Sequence, residues 1–437
     1  MSDVSSLPEN GSRAELIARQ SERLQRLVKA VVPANPFWTR RFAEAGLSPD
    51  DLKTPDDLRR LPPVTKADLA RDQQDHAPYG TNLTFPITRY CRLHQTSGTT
   101  GQPLRWLDTH ETWSWFEDCW EQIYRLVGIR ADDRLAFPFS FGPFIGFWAA
   151  FDGAARLGRL CVPLGGLGSE ARLRMLIDHQ VTIVCCTPTY ALRLAEVARE
   201  KGIDLAGSPV RGLIVAGEAG GNIPSTRKLL EEEWGARVFD HWGMTETGSL
   251  AIEPDDNPGG LDVLETECIA EVVDPDSHQP VGPGETGELW ITNLGRVGSP
   301  LLRYRTGDLV RIDPQPSPGR SLLRLDGGIQ GRVDDMITVR GNNVFPSHLE
   351  AILREFHKIA EYRITVEKRR AMDHLTIEIE PAADSAEGER STELLEHVRK
   401  TLKDRLHFQV DVALAAAGSL PRFEMKGRRF VRKASSK

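Results

Sequence analysis

The sequence predicts an α/β protein in two unequal parts, and three observations carry that prediction. Between residues 134 and 239 short apolar runs alternate with helical stretches, the pattern of a parallel sheet covered by helices. From Thr266 to Ile312 the pattern turns β-rich and is broken by Gly and Pro, which predicts an antiparallel sheet or small barrel attached to the first. Past Asp326-Gly327-Gly328 about a hundred residues read as a compact α+β unit of their own.

The elements follow in order. Leu16, Ile17, Leu24, Leu27, Val28 and Val31 recur at helical spacing, and Pro33 and Pro36 divide the segment 14–45 into a long and a short helix. Strand-like runs at Leu135–Phe139, Leu160–Pro163, Val181–Cys186, Gly212–Ala216 and Val238–Phe239 enclose helices ending at Leu157 and covering Ala171–Asp178, Tyr190–Glu200 and Arg227–Trp234. Pro283, Gly284 and Gly287 mark a hairpin-like turn in the β-rich part. The last unit reads as strand Met336–Arg340, helix Ser347–Phe356, strands Tyr362–Val366 and Leu375–Ile379, helix Thr392–Leu406 and strand Val410–Leu414. Ser347 with Glu350 has the spacing of a capping box.

Composition narrows the function classes. Over 437 residues, 55 Lys and Arg against 62 Asp and Glu leave a net charge of −7, with 40% hydrophobic and 27% charged residues. That balance excludes intrinsic disorder and a dedicated nucleic-acid binder. Glu9, Arg13, Glu15, Arg19, Glu22, Arg23 and Arg26 leave no apolar core for a secretory signal, so the chain is expected in the cytoplasm. The longest uncharged run, Leu135–Phe151, is interrupted by Pro138, Gly142, Pro143 and Gly146 and reads as core or pocket wall, not a bilayer crossing; no membrane partner is expected. The six cysteines are scattered, without a CxxC pair or a His at zinc-ligand spacing, as expected for reduced, packed side chains.

Four segments carry chemistry. His94-Gln95-Thr96-Ser97-Gly98-Thr99-Thr100-Gly101-Gln102-Pro103 concentrates hydroxyls and glycines that can wrap polyanionic oxygens with O–H and backbone N–H groups, although it is not a GxxxxGK[ST] loop. It is followed by Asp240-His241-Trp242-Gly243-Met244-Thr245-Glu246-Thr247-Gly248, by Tyr304-Arg305-Thr306-Gly307-Asp308 and by Gly331-Arg332-Val333-Asp334-Asp335 continuing to Gly341. Gly166-Leu167-Gly168 imitates a dinucleotide fingerprint, but no acidic residue ends the next strand, so a Rossmann oxidoreductase is not expected.

Together and in this order the four segments resemble the adenylate-forming superfamily of acyl-CoA synthetases, synthetase adenylation domains and luciferases. The spelling Gly341-Asn342-Asn343-Val344-Phe345-Pro346-Ser347, with Asn35-Pro36-Phe37-Trp38 and Leu61-Pro62-Pro63-Val64-Thr65-Lys66-Ala67-Asp68-Leu69 near the start, is similar to the phenylacetate-CoA ligase family. The resemblance runs from about residue 24 to 429 and implies a large N-terminal adenylate-forming domain over 1–330, a hinge at 331–335 and a mobile C-terminal lid over 336–437.

The resemblance also implies site roles. Thr96, Ser97, Gly98, Thr99, Thr100 and Gly101 would hold the β- and γ-phosphates of ATP, Thr245 would touch the α-phosphate, and Glu246 would bind Mg²⁺, an ion that takes oxygen ligands and few protein carboxylates. Asp308 would accept both ribose hydroxyls, one carboxylate having lone pairs for two donors. Arg332 would reach the ribose or phosphates, Gly217, Glu218 and Ala219 would lie against the adenine, and Asp240, His241 and Trp242 would also bind ATP. Lys426 would enter the site during adenylation and stabilise the charge developing between carboxylate and α-phosphate. Asp334 would be the pivot, with Arg340 and Gly341 on the face that admits coenzyme A. The acid pocket would draw on Phe141, Phe144, Phe147, His241, Trp242 and Gly243, and its aromatic density points to an aromatic or arylalkyl acid. Gln102 and Met425 depart from the family's Lys after the second loop glycine and its Gly before the catalytic lysine.

The function expected is therefore an ATP-dependent acid:CoA ligase that forms acyl-AMP and pyrophosphate, then passes the acyl group to coenzyme A, working as a homodimer. Two other readings stay open: an adenylating enzyme delivering to a carrier-protein thiol or an amine, and a catalytically weak nucleotide-binding homologue.

Overall fold

Helix α1 (Arg13–Val31) opens on a capping box, Ser12 with Glu15, and buries Leu16, Leu24, Leu27, Val28 and Val31 along one stripe. Asn35 accepts the Trp38 N–H and Pro36 takes the first helical position of α2 (Pro36–Glu44). Thr65 and Asp68 cap α3 (Lys66–Asp75) in the same reciprocal way. Around these helices Trp38, Phe42, Leu52, Leu58 and Tyr304 form a core that also takes in Trp106 from the hairpin β1 (Tyr90–Gln95) and β2 (Arg105–Thr109). The computed structural model describes residues 8–96, 103–333, 337–339, 342–369, 372–382, 389–406, 408–423 and 427–433.

After α4 (His110–Leu126) the alternation becomes β3 (Arg134–Phe137), α5 (Trp148–Arg156), β4 (Leu160–Pro163), α6 (Ser169–Asp178), β5 (Ile183–Cys186), α7 (Pro188–Lys201), β6 (Gly212–Val215), α8 (Pro224–Trp234) and β7 (Arg237–Met244). These strands lie parallel in the order β4-β3-β5-β6-β7. One face packs under α4 and α5 with Trp120, Tyr124, Phe137 and Phe239, the other under α6 and α7 with Leu173, Tyr190, Leu194 and Val238.

The β-rich part is a continuation of this sheet, not a separate barrel. Strands β8 (Gly248–Ile252), β9 (Gly260–Val263), β10 (Cys268–Val273), β11 (Thr286–Asn293), β12 (Tyr304–Ile312) and β13 (Arg324–Arg332) add in the order β7-β8-β9-β13-β12-β11-β10, giving eleven strands. β7 is the splice. It extends past the expected Val238–Phe239 to Met244 because β6 pairs with it in parallel as far as Asp240, while β8 pairs antiparallel from His241 onward.

From residue 337 a separate core gathers Val344, Leu349, Tyr362, Ile364, Ile377, Val398 and Val412. Its elements are β14 (Ile337–Val339), β15 (Asn342–Val344), α9 (Pro346–Arg354), β16 (Ile359–Arg369), β17 (Met372–Pro381), α10 (Glu389–Leu406), β18 (Asp411–Leu414) and β19 (Phe430–Lys433), with a four-stranded sheet in the order β18-β17-β16-β19. The expected capping box is absent: Phe345 is the cap residue, Pro346 takes the first helical position, and the Ser347 hydroxyl instead donates to the Gln330 carbonyl at 2.8 Å. No helix among the described residues is long and apolar enough to cross a membrane.

Candidate active site

Alternation along β7 divides the site. Asp240 lies toward the glycine-rich turn that follows β6, where a Cβ on Gly221 would collide with its carboxylate; Phe239 and His241 lie toward α4. Burial, and then the charge of Glu253, push the Asp240 carboxyl up to about 7, with the Arg227 guanidinium opposing. Gly217 and Gly220 of the turn have φ of +92° and +153°, backbone that favours glycine, and any side chain on Gly220 would strike Pro188. Ala219 and Gly217 are exposed on this turn.

Asp308 on β12 stands opposite Arg332 on β13. The Trp242 indole N–H donates to its Oδ2 at 2.8 Å and the Arg332 guanidinium to its Oδ1 at 2.8 Å. Three of the expected nucleotide residues thus meet in one hydrogen-bonded corner, and Trp242 serves that corner through its N–H. A carboxylate has lone pairs for several donors, the chemistry that a ribose diol requires of its partner.

Thr245 and Glu246 occupy the turn between β7 and β8, and the turn is held from beneath. Arg296, with a fully buried side chain, forms two 2.9 Å bonds to Asp108 on β2, also fully buried, and donates to the carbonyls of Thr245 at 2.9 Å and Glu246 at 2.6 Å. Gly248 ends the turn at φ +83°, where a Cβ would overlap the Phe116 ring. The Glu246 residue is 3% exposed, and the Lys66 ammonium at the start of α3 stands 3.5 Å from its carboxylate. Neither Arg296 nor Asp108 was marked by a motif. Lys66 belongs to the Leu61–Leu69 segment, and its closeness to Glu246 depends on a contact across 180 positions of sequence.

Thr96, the first residue of the expected phosphate segment, pairs with Leu104: its N–H donates to the Leu104 carbonyl and its hydroxyl accepts the Leu104 N–H, both at 3.0 Å. Ser97, Gly98, Thr99, Thr100, Gly101 and Gln102 lie outside the described residues, as do Asp334, Arg340, Gly341, Met425 and Lys426. Gly427, next to Lys426, donates to Glu218 at 2.6 Å, and the other Glu218 oxygen accepts the Thr189 N–H at 2.9 Å. Arg429 donates to the Thr189 hydroxyl at 2.9 Å and to both oxygens of Glu361. Glu218, expected beside adenine, thus ties the glycine-rich turn to the C-terminal segment.

On the α4 side the rings of Phe139 and Phe141 are 4.0 Å apart, Phe141 also meets Trp148, and Phe147 lies 6.2 Å from Trp120. Phe141 holds φ +49°. Phe144 packs near Gly142 and Gly146, whereas Gly243 abuts the Gly248 carbonyl across the β7–β8 hairpin, where a Cβ would crowd it. His241 stacks on Trp120 with centroids 4.8 Å apart. Phe141, Phe147 and His241 therefore belong to one aromatic wall; Gly243 contributes close strand approach.

Comparison with known proteins agrees with this layout. The model of the AMP-binding enzyme family matches residues 65–295, and that of the AMP-binding enzyme C-terminal domain matches 341–433. The phenylacetate-coenzyme A ligase of Escherichia coli (strain K12) is 32% identical over 427 residues, covering 96% of this chain and 95% of that protein. A crystal structure of 2-hydroxyisobutyryl-CoA ligase with 2-HIB-AMP in the postadenylation state superposes at a TM-score of 0.92, with 30% identity over 98% of this chain and 91% of that one. The same ligase with 2-HIB-AMP and CoA in the thioesterification state gives 0.73, again at 30% identity, over 97% and 91% of the two chains. The present arrangement is thus closer to the postadenylation one. With the sequence matched almost end to end and the fold superposing over nearly the whole chain, the chain belongs to the AMP-binding, adenylate-forming enzymes, in the family of the phenylacetate-coenzyme A ligases.

Proposed function

We propose that the protein is an ATP-dependent acid:CoA ligase acting on an aromatic or arylalkyl carboxylate. The observation that carries this reading is the convergence of the Asp308–Trp242–Arg332 corner, the Thr245–Glu246 turn and the Glu218–Gly427 contact around the end of β7. Asp308 anchors the ribose and the turn after β6 frames the adenine. A carboxylate oxygen of the acid then attacks the α-phosphorus; the new C–O–P link forms as the bond to the β-phosphate oxygen breaks, and pyrophosphate leaves. Thr245 and the Lys426 ammonium stabilise the charge gathered at the α-phosphate. In the second half the coenzyme A sulfur attacks the acyl carbon, AMP leaves on its phosphate oxygen, and the thiol proton passes to solvent.

Glu246 fits Mg²⁺: it is a buried carboxylate beside the proposed phosphate site, an ion there needs few protein ligands, and among the described residues no three-ligand His, Cys, Asp or Glu cluster competes. Bound there, the ion would neutralise phosphate charge. The division into a large domain over 1–330, a pivot at 331–335 with Asp334, and a lid over 336–437 belongs to the same proposal, with Arg340 and Gly341 on the coenzyme A face. Its support is the separate core gathered from residue 337 onward. Four of the six cysteines are buried and all six are free thiols, which supports a reducing compartment such as the cytoplasm.

The deciding experiment is acid-dependent ATP–pyrophosphate exchange over a panel of carboxylates, followed by trapping with coenzyme A. Exchange together with thioester is expected. Exchange without thioester would move the acceptor to a carrier-protein thiol or an amine, and no exchange with any acid would leave a nucleotide-binding homologue.

A further inference from the structure

The aromatic wall contains one polar interruption. His241 is 7% exposed, and among the described residues neither its Nδ1 nor its Nε2 has a hydrogen-bond partner. Its neighbours are apolar: Trp120 stacks on the ring, Phe147 and Tyr124 pack on Trp120, and Phe239 precedes it on the same face of β7. Buried polar groups in folded proteins are almost always bonded, so an imidazole with both nitrogens open needs an explanation that a core phenylalanine would not. The position supplies one. His241 directly follows Asp240 on the strand that leads into the Thr245–Glu246 turn, and it faces the side opposite the glycine-rich turn, among the Phe139, Phe141 and Phe147 rings of the proposed acid pocket.

We propose that His241 is the polar recognition group of the acid pocket, and that the acid activated by this enzyme carries a neutral hydrogen-bonding substituent, a hydroxyl or amino group, on its aryl body. The inference rests on the acid:CoA ligase reading and refines its substrate. Burial pushes the imidazole pKa down to about 3, so the ring is neutral at working pH and offers one N–H donor and one lone pair. A neutral ring of this kind pairs with a hydroxyl in either sense and accepts from an amine. A second carboxylate on the substrate would instead call for a charged imidazolium, which this apolar surround disfavours. An acid lacking the substituent leaves the nitrogens unpaired on binding, and a site built around a hydrogen bond discriminates strongly against such an analogue.

The test is kcat/KM for ATP–pyrophosphate exchange with phenylacetate, benzoate and their ring-hydroxylated and ring-aminated derivatives, using the full chain and His241→Phe, with His241→Leu as a second variant should the first not fold. For the wild-type chain the best substituted acid should exceed its parent by about 10- to 100-fold. In either variant the ratio should collapse to within roughly three-fold. The inference is overturned if the wild-type chain uses a parent acid as well as every derivative, or if the preference survives removal of the imidazole. These results leave the ligase reading intact, whereas absence of exchange with any acid in the wild-type chain overturns that reading and the inference with it.

Discussion

Replacing Glu218 by Ala probes how the C-terminal segment is held against the glycine-rich turn of the proposed nucleotide site. Its hydrogen bonds with Thr189 lie within the large α/β part and persist whichever way the C-terminal part turns; the 2.6 Å bond from Gly427 joins the two parts. Only the Gly427 bond distinguishes the docked arrangement from others. A hydrogen bond to a charged acceptor contributes about 1.5–3 kcal/mol, which corresponds to roughly 10- to 150-fold in the docking equilibrium. Arg429, still bonded to Thr189, retains part of the docking, so the lower end is expected: adenylation slowed by about ten-fold. The assay compares two half-reactions on the same protein, single-turnover pyrophosphate release from ATP and acid, and thioester formation from supplied acyl-adenylate and coenzyme A. The first should fall while the second holds or quickens, with the KM for ATP little changed. Equal loss in both halves, or a rise in ATP KM without a fall in rate, would falsify the docking argument and return Glu218 to a purely adenine-side role.

Three further outcomes follow from the same geometry. Asp308→Ala removes the acceptor shared by Trp242 and Arg332 and should raise the ATP KM in exchange by about 10- to 100-fold; an unchanged KM removes Asp308 from the ribose role. Arg296→Met leaves buried Asp108 with His94 alone beside it, a loss of about 3–5 kcal/mol, read as a fall in Tm of about 3–7 °C for a chain of this size; adding Asp108→Leu should recover most of it, and a single variant as stable as the parent refutes the pairing. Asp240 sets a pH dependence. Its raised pKa means that the native state holds the proton more tightly than the unfolded chain, so its contribution is present in acid and is lost as pH rises from about 4 to about 7. Asp240→Asn should therefore raise Tm above pH 7 and change it little near pH 4; parallel Tm–pH curves for variant and parent would refute the assignment.

Much of the molecule was legible in the residues. The capping serines and threonines, the prolines dividing α1 from α2 and the β-α alternation specify local structure through neighbours within a few positions, and the four ordered segments carry the proposed nucleotide site for the same reason. The misreadings came where local pattern is silent. Ser347 with Glu350 has the spacing of a capping box, but Pro346 at the first helical position and the nearby Gln330 carbonyl took the serine elsewhere. The β-rich part is antiparallel as expected, but whether it is attached as its own sheet or barrel or continues the parallel one was not legible, because two-residue periodicity says which residues share a face, not which strand edge they meet.

What the sequence determined by itself was the inventory of chemistry: a hydroxyl- and glycine-rich loop, a Thr-Glu turn, an Asp and an Arg in order, and a net charge of −7 that gave no sign of the polyanions those groups suit. Tertiary structure decided the electrostatics. Arg296 and Asp108 are 188 positions apart yet make a buried pair beneath the Thr245–Glu246 turn, Lys66 reaches Glu246 from the first helices, and His241 ends with both nitrogens unmatched against Trp120. The reason is physical. The strength of a charge or hydrogen bond is set by how much water is excluded around it, and exclusion depends on which distant side chains the sheet brings to the same face.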